Sequence, residues 1–152
     1  MHEIRRTIRL RSSLAETWDF FSDPRNLSRI TPEKLNFRII SDLPDRIYPG
    51  AIIRYKVSPL LSIPLTWVTE ITHVREHEMF VDEQRHGPYR MWHHQHLFRA
   101  IEDGTEVEDI VDYVVGFGPL GPIANRILIA RQVAGIFEHR ARILEELFGL
   151  AC

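Results

Sequence analysis

Cysteine is almost absent from this chain. The sole thiol, Cys152, is the last residue, so neither a disulfide nor a Cys-based zinc site can form within one chain. No stretch approaches the ~20 consecutive apolar residues of a membrane-spanning helix. Neither sign of charge dominates: the formal net charge is −2 and Lys and Arg are scattered, which leaves no basic stripe for nucleic acid. The first residues, His2-Glu3-Ile4-Arg5-Arg6, lack the apolar core of a signal peptide. A phosphate-cradling glycine loop, a nucleophile elbow and a usable Cys–His pair are all missing. The expectation is a cytoplasmic domain with no nucleic-acid partner and no stable membrane insertion.

What is present suits one ordinary domain. A chain of 152 residues can bury a sizeable core, and 44% hydrophobic with 26% charged residues is a globular composition. Glu3 to Arg11 alternates with Ile4, Ile8 and Leu10 on one side, which predicts a strand. Ser12 or Ser13 can cap a following helix, with Glu16 three residues after Ser13 as a capping box requires. Leu14, Trp18 and Phe21 recur at helical spacing until Asp23-Pro24, and Pro24 can open a second short helix that Pro32 closes. The period then returns to two. Strands are predicted over Leu35 to Ser41, Ala51 to Val57, Leu65 to His73, Glu76 to Glu83, Arg90 to Ile101 and Thr105 to Val115. Ser58 to Pro64 is a Pro-flanked apolar loop, and Phe117 to Pro122 a Gly/Pro segment that resets direction or gates a cavity. Beyond it Ile123, Ile127, Ala130, Ala134, Phe137, Ala141, Leu144 and Phe148 trace one long helical stripe.

Within the strands, Trp92, His94, His96 and Phe98 share a face, aromatic at both ends and imidazole in the middle. A face of that size seeks the interior, where two imidazoles without partners are costly. Taking Asp103-Gly104 as a two-residue hairpin loop pairs Glu102 with Thr105. Phe98 then stands opposite Asp109, His96 opposite Val111, His94 opposite Tyr113 and Trp92 opposite Val115. On the other side the Arg85 to Tyr89 loop brings Asp82 near Trp92 and Phe80 near His94. Trp67, Thr69 and Ile71 continue the surface. The predicted wall is Trp67, Phe80, Asp82, Gln84, Trp92, His94, His96, Phe98, Asp109 and Tyr113.

Three readings fit that wall: a core of hydrogen-bonded histidines, a ligand cavity with a few converging polar groups, or a metal site. For the last, His94 and His96 supply two ligands and the sequence proves no third, so neither metal nor other cofactor is expected. Arg140, three residues after the core-facing Phe137, either reaches an inner carboxylate or stays solvated.

The layout resembles the START-like (SRPBCC) superfamily across essentially the whole chain. Phe80-x-Asp82-x-Gln84, Gly87-Pro88-Tyr89, Trp92-x-His94-x-His96-x-Phe98 and Asp109-x-x-x-Tyr113 look like a bacterial ligand-binding, polyketide cyclase-like subgroup. The resemblance implies an α+β helix-grip fold, in which a curved antiparallel sheet of six or seven strands wraps a long C-terminal helix around a cavity. The expected function is binding of a small hydrophobic molecule, lipid-like or aromatic. Trp67, Phe80, Asp82, Gln84, Trp92 and Phe98 would form the binding wall. The rival is a cyclase, aromatase or dehydratase in which His94 or His96 is the general base, poised by Asp109, with Tyr113 as proton donor or orienter. A third class is an interaction module in which the Ser58 to Pro64 loop offers an apolar patch to a partner or membrane.

Overall fold

The computed structural model describes residues 1–58, 63–116 and 129–152. The order is β1 (His2–Leu10), α1 (Leu14–Ser22), β2 (Arg38–Ile39), β3 (Ile52–Val57), β4 (Leu65–Arg75), β5 (Met79–His86), β6 (Tyr89–Ile101), β7 (Gly104–Val115) and α2 (Ala130–Phe148). Short 3-10 turns occupy Pro24–Ser28 and Glu33–Leu35. All seven strands form one curved antiparallel sheet in the order β1-β7-β6-β5-β4-β3-β2. α2 lies over its inner face: Phe137 meets His94, and Val133, Phe137, Arg140 and Leu144 are buried. This is the α+β helix-grip architecture. Of the residues expected to face inward from the last helix, Phe137 and Leu144 are buried and Ala134 is half-buried. Ile123 and Ile127, the Phe117 to Pro122 segment and the middle of the Ser58 to Pro64 loop lie outside the described residues.

Local sequence explains most boundaries. Ser13 caps α1, its hydroxyl accepting the Glu16 N–H at 3.2 Å. Pro24 opens the next turn while the Asp23 carboxylate accepts the Arg25 N–H at 3.0 Å. The expected strand Leu35 to Ser41 shrinks to Arg38–Ile39. Asn36 sits at φ 47°, a left-handed conformation no strand tolerates, and the Leu35 carbonyl accepts from Ser58 N instead of a sheet neighbour. The strand expected over Glu76 to Glu83 starts and ends later. His77, at φ 61°, turns the chain between β4 and β5, and only Gly87 and Pro88 separate β5 from β6.

Both predicted hairpin registers are off by two residues. The turn between β6 and β7 is Glu102-Asp103, and Ile101 pairs with Gly104. Gly104 serves the neighbouring strand rather than the turn: a Cβ there would run into the Leu10 backbone carbonyl. His96 therefore stands opposite Asp109, His94 opposite Val111, Trp92 opposite Tyr113 and Phe98 opposite Val107. Across β5, Asp82 stands opposite His94 and Phe80 opposite His96, instead of Trp92 and His94. A slip of two keeps every side chain on its face, because the side-chain period is two. Only the partners change.

Candidate functional site

A cavity of about 190 Å³ separates the sheet from α2. One water occupies ~10–15 Å³ on this scale, so the space admits a small organic molecule. Its walls are apolar and aromatic. Ile53 and Tyr55 come from β3, Trp67 and Ile71 from β4, Phe80 from β5, Tyr89 and Trp92 from β6, Phe21 from α1, and Val133, Ile136 and Phe137 from α2. Tyr55 stacks on Trp67 at 5.8 Å between ring centres, and Trp92 meets Trp67 edge-on at 5.4 Å. The Tyr55 hydroxyl and Thr69 share a hydrogen bond of 3.0 Å, and burial pushes the Tyr55 hydroxyl's pKa up. Trp67 Nε1 is buried without a hydrogen-bond partner among the described residues.

One end of this cavity is polar. Asp82, His94, His96 and Arg140 line it, and Asp109 sits directly behind. His96 Nε2 is 2.8 Å from Asp82 Oδ2, and His94 Nε2 is 3.0 Å from Asp109 Oδ1. Arg140 Nη2 lies 3.3 Å from both Asp109 Oδ1 and His96 Nδ1. His96 Nε2–H donates to Asp82, and Nδ1, which also lies 2.9 Å from Asp109 Oδ1, accepts from the guanidinium when unprotonated and donates to Asp109 when protonated. The two imidazoles are 3.8 Å apart between centres, and Phe80 stacks on the outer face of His96 at 4.0 Å. Buried polar groups are paired in native proteins, and this cluster follows the rule apart from Arg140 Nε.

Electrostatics separates the members. Burial pushes the Asp109 carboxyl up. The Arg140 charge and hydrogen bonds from His94 and His96 outweigh it and hold the carboxyl well below its ordinary range. Burial likewise raises Asp82, but His94, the hydrogen bond from His96 and the charge of Arg140 bring it below its usual value. For His94, burial and then the neighbouring His96 ring win over Asp82 and Asp109, so the pKa falls and the ring is neutral at pH 7. Folding thus binds fewer protons than the unfolded chain in two windows. Stability falls as pH drops below about 6.5, where unfolded His94 charges and the folded ring does not. It falls again below about pH 4, where unfolded Asp82 and Asp109 take up protons that the folded carboxylates resist. Urea titrations at pH 7.5, 5.5 and 3.5 should show both losses, and His94→Gln should shrink the first. A midpoint unchanged between pH 7.5 and 5.5 would contradict the burial argument.

Of the predicted wall, Trp67, Phe80, Asp82, Trp92, His94 and His96 line the cavity, with Asp109 behind them. Three predicted residues do other work. Phe98 is core: Trp18, Phe21 and Phe80 surround it at 5.3, 5.2 and 6.0 Å, because α1 covers that end of the stripe. Gln84 ties off the β5–β6 turn, donating from Nε2 to the Tyr89 carbonyl at 2.6 Å and accepting the Tyr89 N–H at 3.2 Å. Tyr113 faces Trp92, its ring against His2, Tyr89 and Trp92 rather than opposite His94. Tyr55, Tyr89, Phe21 and the α2 lining were not in the predicted wall. The inward alternation of Ile53, Tyr55 and Val57 on β3 was the available signal for Tyr55.

Residues 11–138 match the family described as polyketide cyclase/dehydrase and lipid transport. The chain belongs to that family. Solved structures agree in fold. A START superfamily protein from Mycobacterium smegmatis is 16% identical with a TM-score of 0.72, each chain covered to 97%. The Zhui aromatase/cyclase from a Streptomyces species is 14% identical with a TM-score of 0.74, covering 95% of this chain and 92% of that one. A Thermus thermophilus protein is 16% identical with a TM-score of 0.72 and 95% coverage of each chain. No curated protein matches the sequence. Identities this low establish a shared fold and nothing finer. Among the described residues of this polyketide cyclase/dehydrase family member, no helix is long and apolar enough to cross a membrane.

Proposed function

We propose that this protein binds a small, largely hydrophobic molecule, lipid-like or aromatic, in the cavity between the sheet and α2. The observation that carries this reading is a chamber walled mainly by aromatic and aliphatic side chains on which a few polar groups, Asp82, His94, His96 and Arg140 among them, converge, the usual makeup of a small-molecule site. Trp67 Nε1 adds a constraint: a bound acceptor, such as a carbonyl or ether oxygen, would satisfy that buried donor. Affinity would come mainly from ligand surface buried against Trp67, Phe80 and Trp92. At ~25 cal/mol per Å², roughly 60 Å² lost with one indole is worth about tenfold. Trp92→Ala should therefore weaken a hydrophobic fluorescent probe by about tenfold or more, whereas His94→Ala should alter selectivity among probes more than overall affinity. Native mass spectrometry of freshly purified protein would look for a retained molecule. A folded Trp92→Ala protein that binds the probe like wild type would sink the proposal.

A second reading draws on the His94 geometry. A buried imidazole, neutral at pH 7 and held by a carboxylate on Nε2, is a candidate general base for a cyclase or dehydratase acting on a polyketide-like substrate. The fold shared with the Zhui aromatase/cyclase is compatible with it. In that case His94→Ala or His96→Ala costs ~10²–10⁴ in turnover while substrate affinity stays nearly intact.

A further inference from the structure

The polar end of the cavity has a feature that hydrophobic binding does not require. Asp82, His94 and His96 each present one donor atom, all within 4.8 Å of one another. Asp82 Oδ2 is 3.4 Å from His94 Nδ1 and 2.8 Å from His96 Nε2. Ligands at about 2.0–2.2 Å from a tetrahedral ion lie roughly 3.3–3.5 Å apart, so small side-chain rotations bring this triad to that spacing. The third ligand that the sequence did not supply is Asp82, delivered by the corrected β5–β6 register.

Two further observations point the same way. The distal nitrogens of both rings, His94 Nε2 and His96 Nδ1, converge on Asp109 Oδ1 at 3.0 and 2.9 Å. A carboxylate behind a metal-ligating imidazole fixes its tautomer and raises its basicity, and one carboxylate here does so for both rings. In addition, the guanidinium of Arg140 answers Asp109, while no Lys or Arg among the described residues lies within ion-pair distance of Asp82. The cluster holds one more carboxylate than guanidinium, and Asp82, the one without a guanidinium at ion-pair distance among the described residues, faces the cavity.

We propose that Asp82 Oδ2, His94 Nδ1 and His96 Nε2 form a binding site for one divalent transition ion of the zinc or ferrous kind, with Asp109 orienting both imidazoles from behind. Two imidazoles with one carboxylate suit such borderline ions better than calcium or magnesium, and the cavity leaves the remaining coordination positions open toward a bound molecule. On binding, His94 keeps its Nε2–H on Asp109. His96 changes tautomer: its Nε2 proton is carried at Nδ1, where Asp109 accepts it. The apolar walls bind a hydrophobic probe with or without the ion, so this proposal and the previous one fail separately.

The test uses tag-free protein stripped with a chelator and titrated with Co²⁺, read by visible d–d absorption and by metal content after gel filtration. One equivalent should bind, and Zn²⁺ should displace it. Asp82→Asn and His96→Ala should each weaken Co²⁺ at least 100-fold, and Asp109→Asn, which leaves the three ligands in place, by about 10–100-fold. His93→Ala, which removes an outward-facing histidine paired with Glu83, should change nothing. A measurement that needs no variant is ring-nitrogen NMR of the wild type during Zn²⁺ addition: two of the eight histidines should shift. Absence of stoichiometric binding at millimolar metal, binding unaffected by Asp82→Asn, or shifts in other histidines would each overturn the proposal.

Discussion

Asp109→Ala should cost about 3–5 kcal/mol of stability, more than any cavity-wall substitution, because it strands a buried guanidinium. Arg140 is 7% exposed, and its nearest carboxylate is Asp109 at 3.3 Å. The same truncation removes the acceptor for His94 Nε2. For a domain of this length that loss corresponds to a fall of roughly 6–20 °C in Tm. The matching double variant, Asp109→Ala with Arg140→Met, should recover a good part of it, since replacing both members of a buried pair by apolar groups is far less damaging than removing one. Calorimetry of the wild type, both single variants and the double variant closes the cycle. Strict additivity of the two single losses would mean that the ion pair is not the source of the effect.

Phe98→Ala should be almost as severe, about 3–5 kcal/mol, because the ring fills the junction between α1 and the sheet. Trp18, Phe21 and Phe80 all contact it, and removal leaves a void that three aromatic neighbours cannot close without leaving their own packing. Trp92, three alternations away on the same strand face, lines the cavity instead and should cost less stability and more probe affinity. Denaturant midpoints and probe titrations on the two alanine variants separate a packing role from a binding role. A Phe98→Ala protein as stable as wild type but unable to bind would return Phe98 to the cavity wall.

Those two residues also mark what the sequence could and could not disclose. Alternation placed Trp92, His94, His96 and Phe98 on one inward face, and the chain carries them there. Periodicity is silent on what covers each part of a face: α1 covers Phe98 and open cavity covers Trp92. It is equally silent on a two-residue slip. The Asp103-Gly104 signal named the right hairpin, yet the glycine is needed where the Leu10 backbone crosses, a contact between segments far apart in sequence. That slip is why His96, and not Phe98, stands opposite Asp109. Arg140 was visible at helical spacing from Phe137, but its burial depends on the carboxylate waiting across the cavity floor.

Arg140 and Phe137 also border a second, smaller hollow of about 120 Å³ on the far side of the cluster, between β1 and α2, reached past the exposed Arg6 and Glu138. Asp109 faces this hollow and not the main chamber. The partition between the two spaces is one ion pair thick. An oily occupant filling the front chamber would not enter the rear hollow, so Asp109 and Arg140 would keep a separate space of several water volumes on their far side. A guest bound as proposed would therefore press on one side of a charged septum whose other side opens onto the hollow beside Arg6 and Glu138.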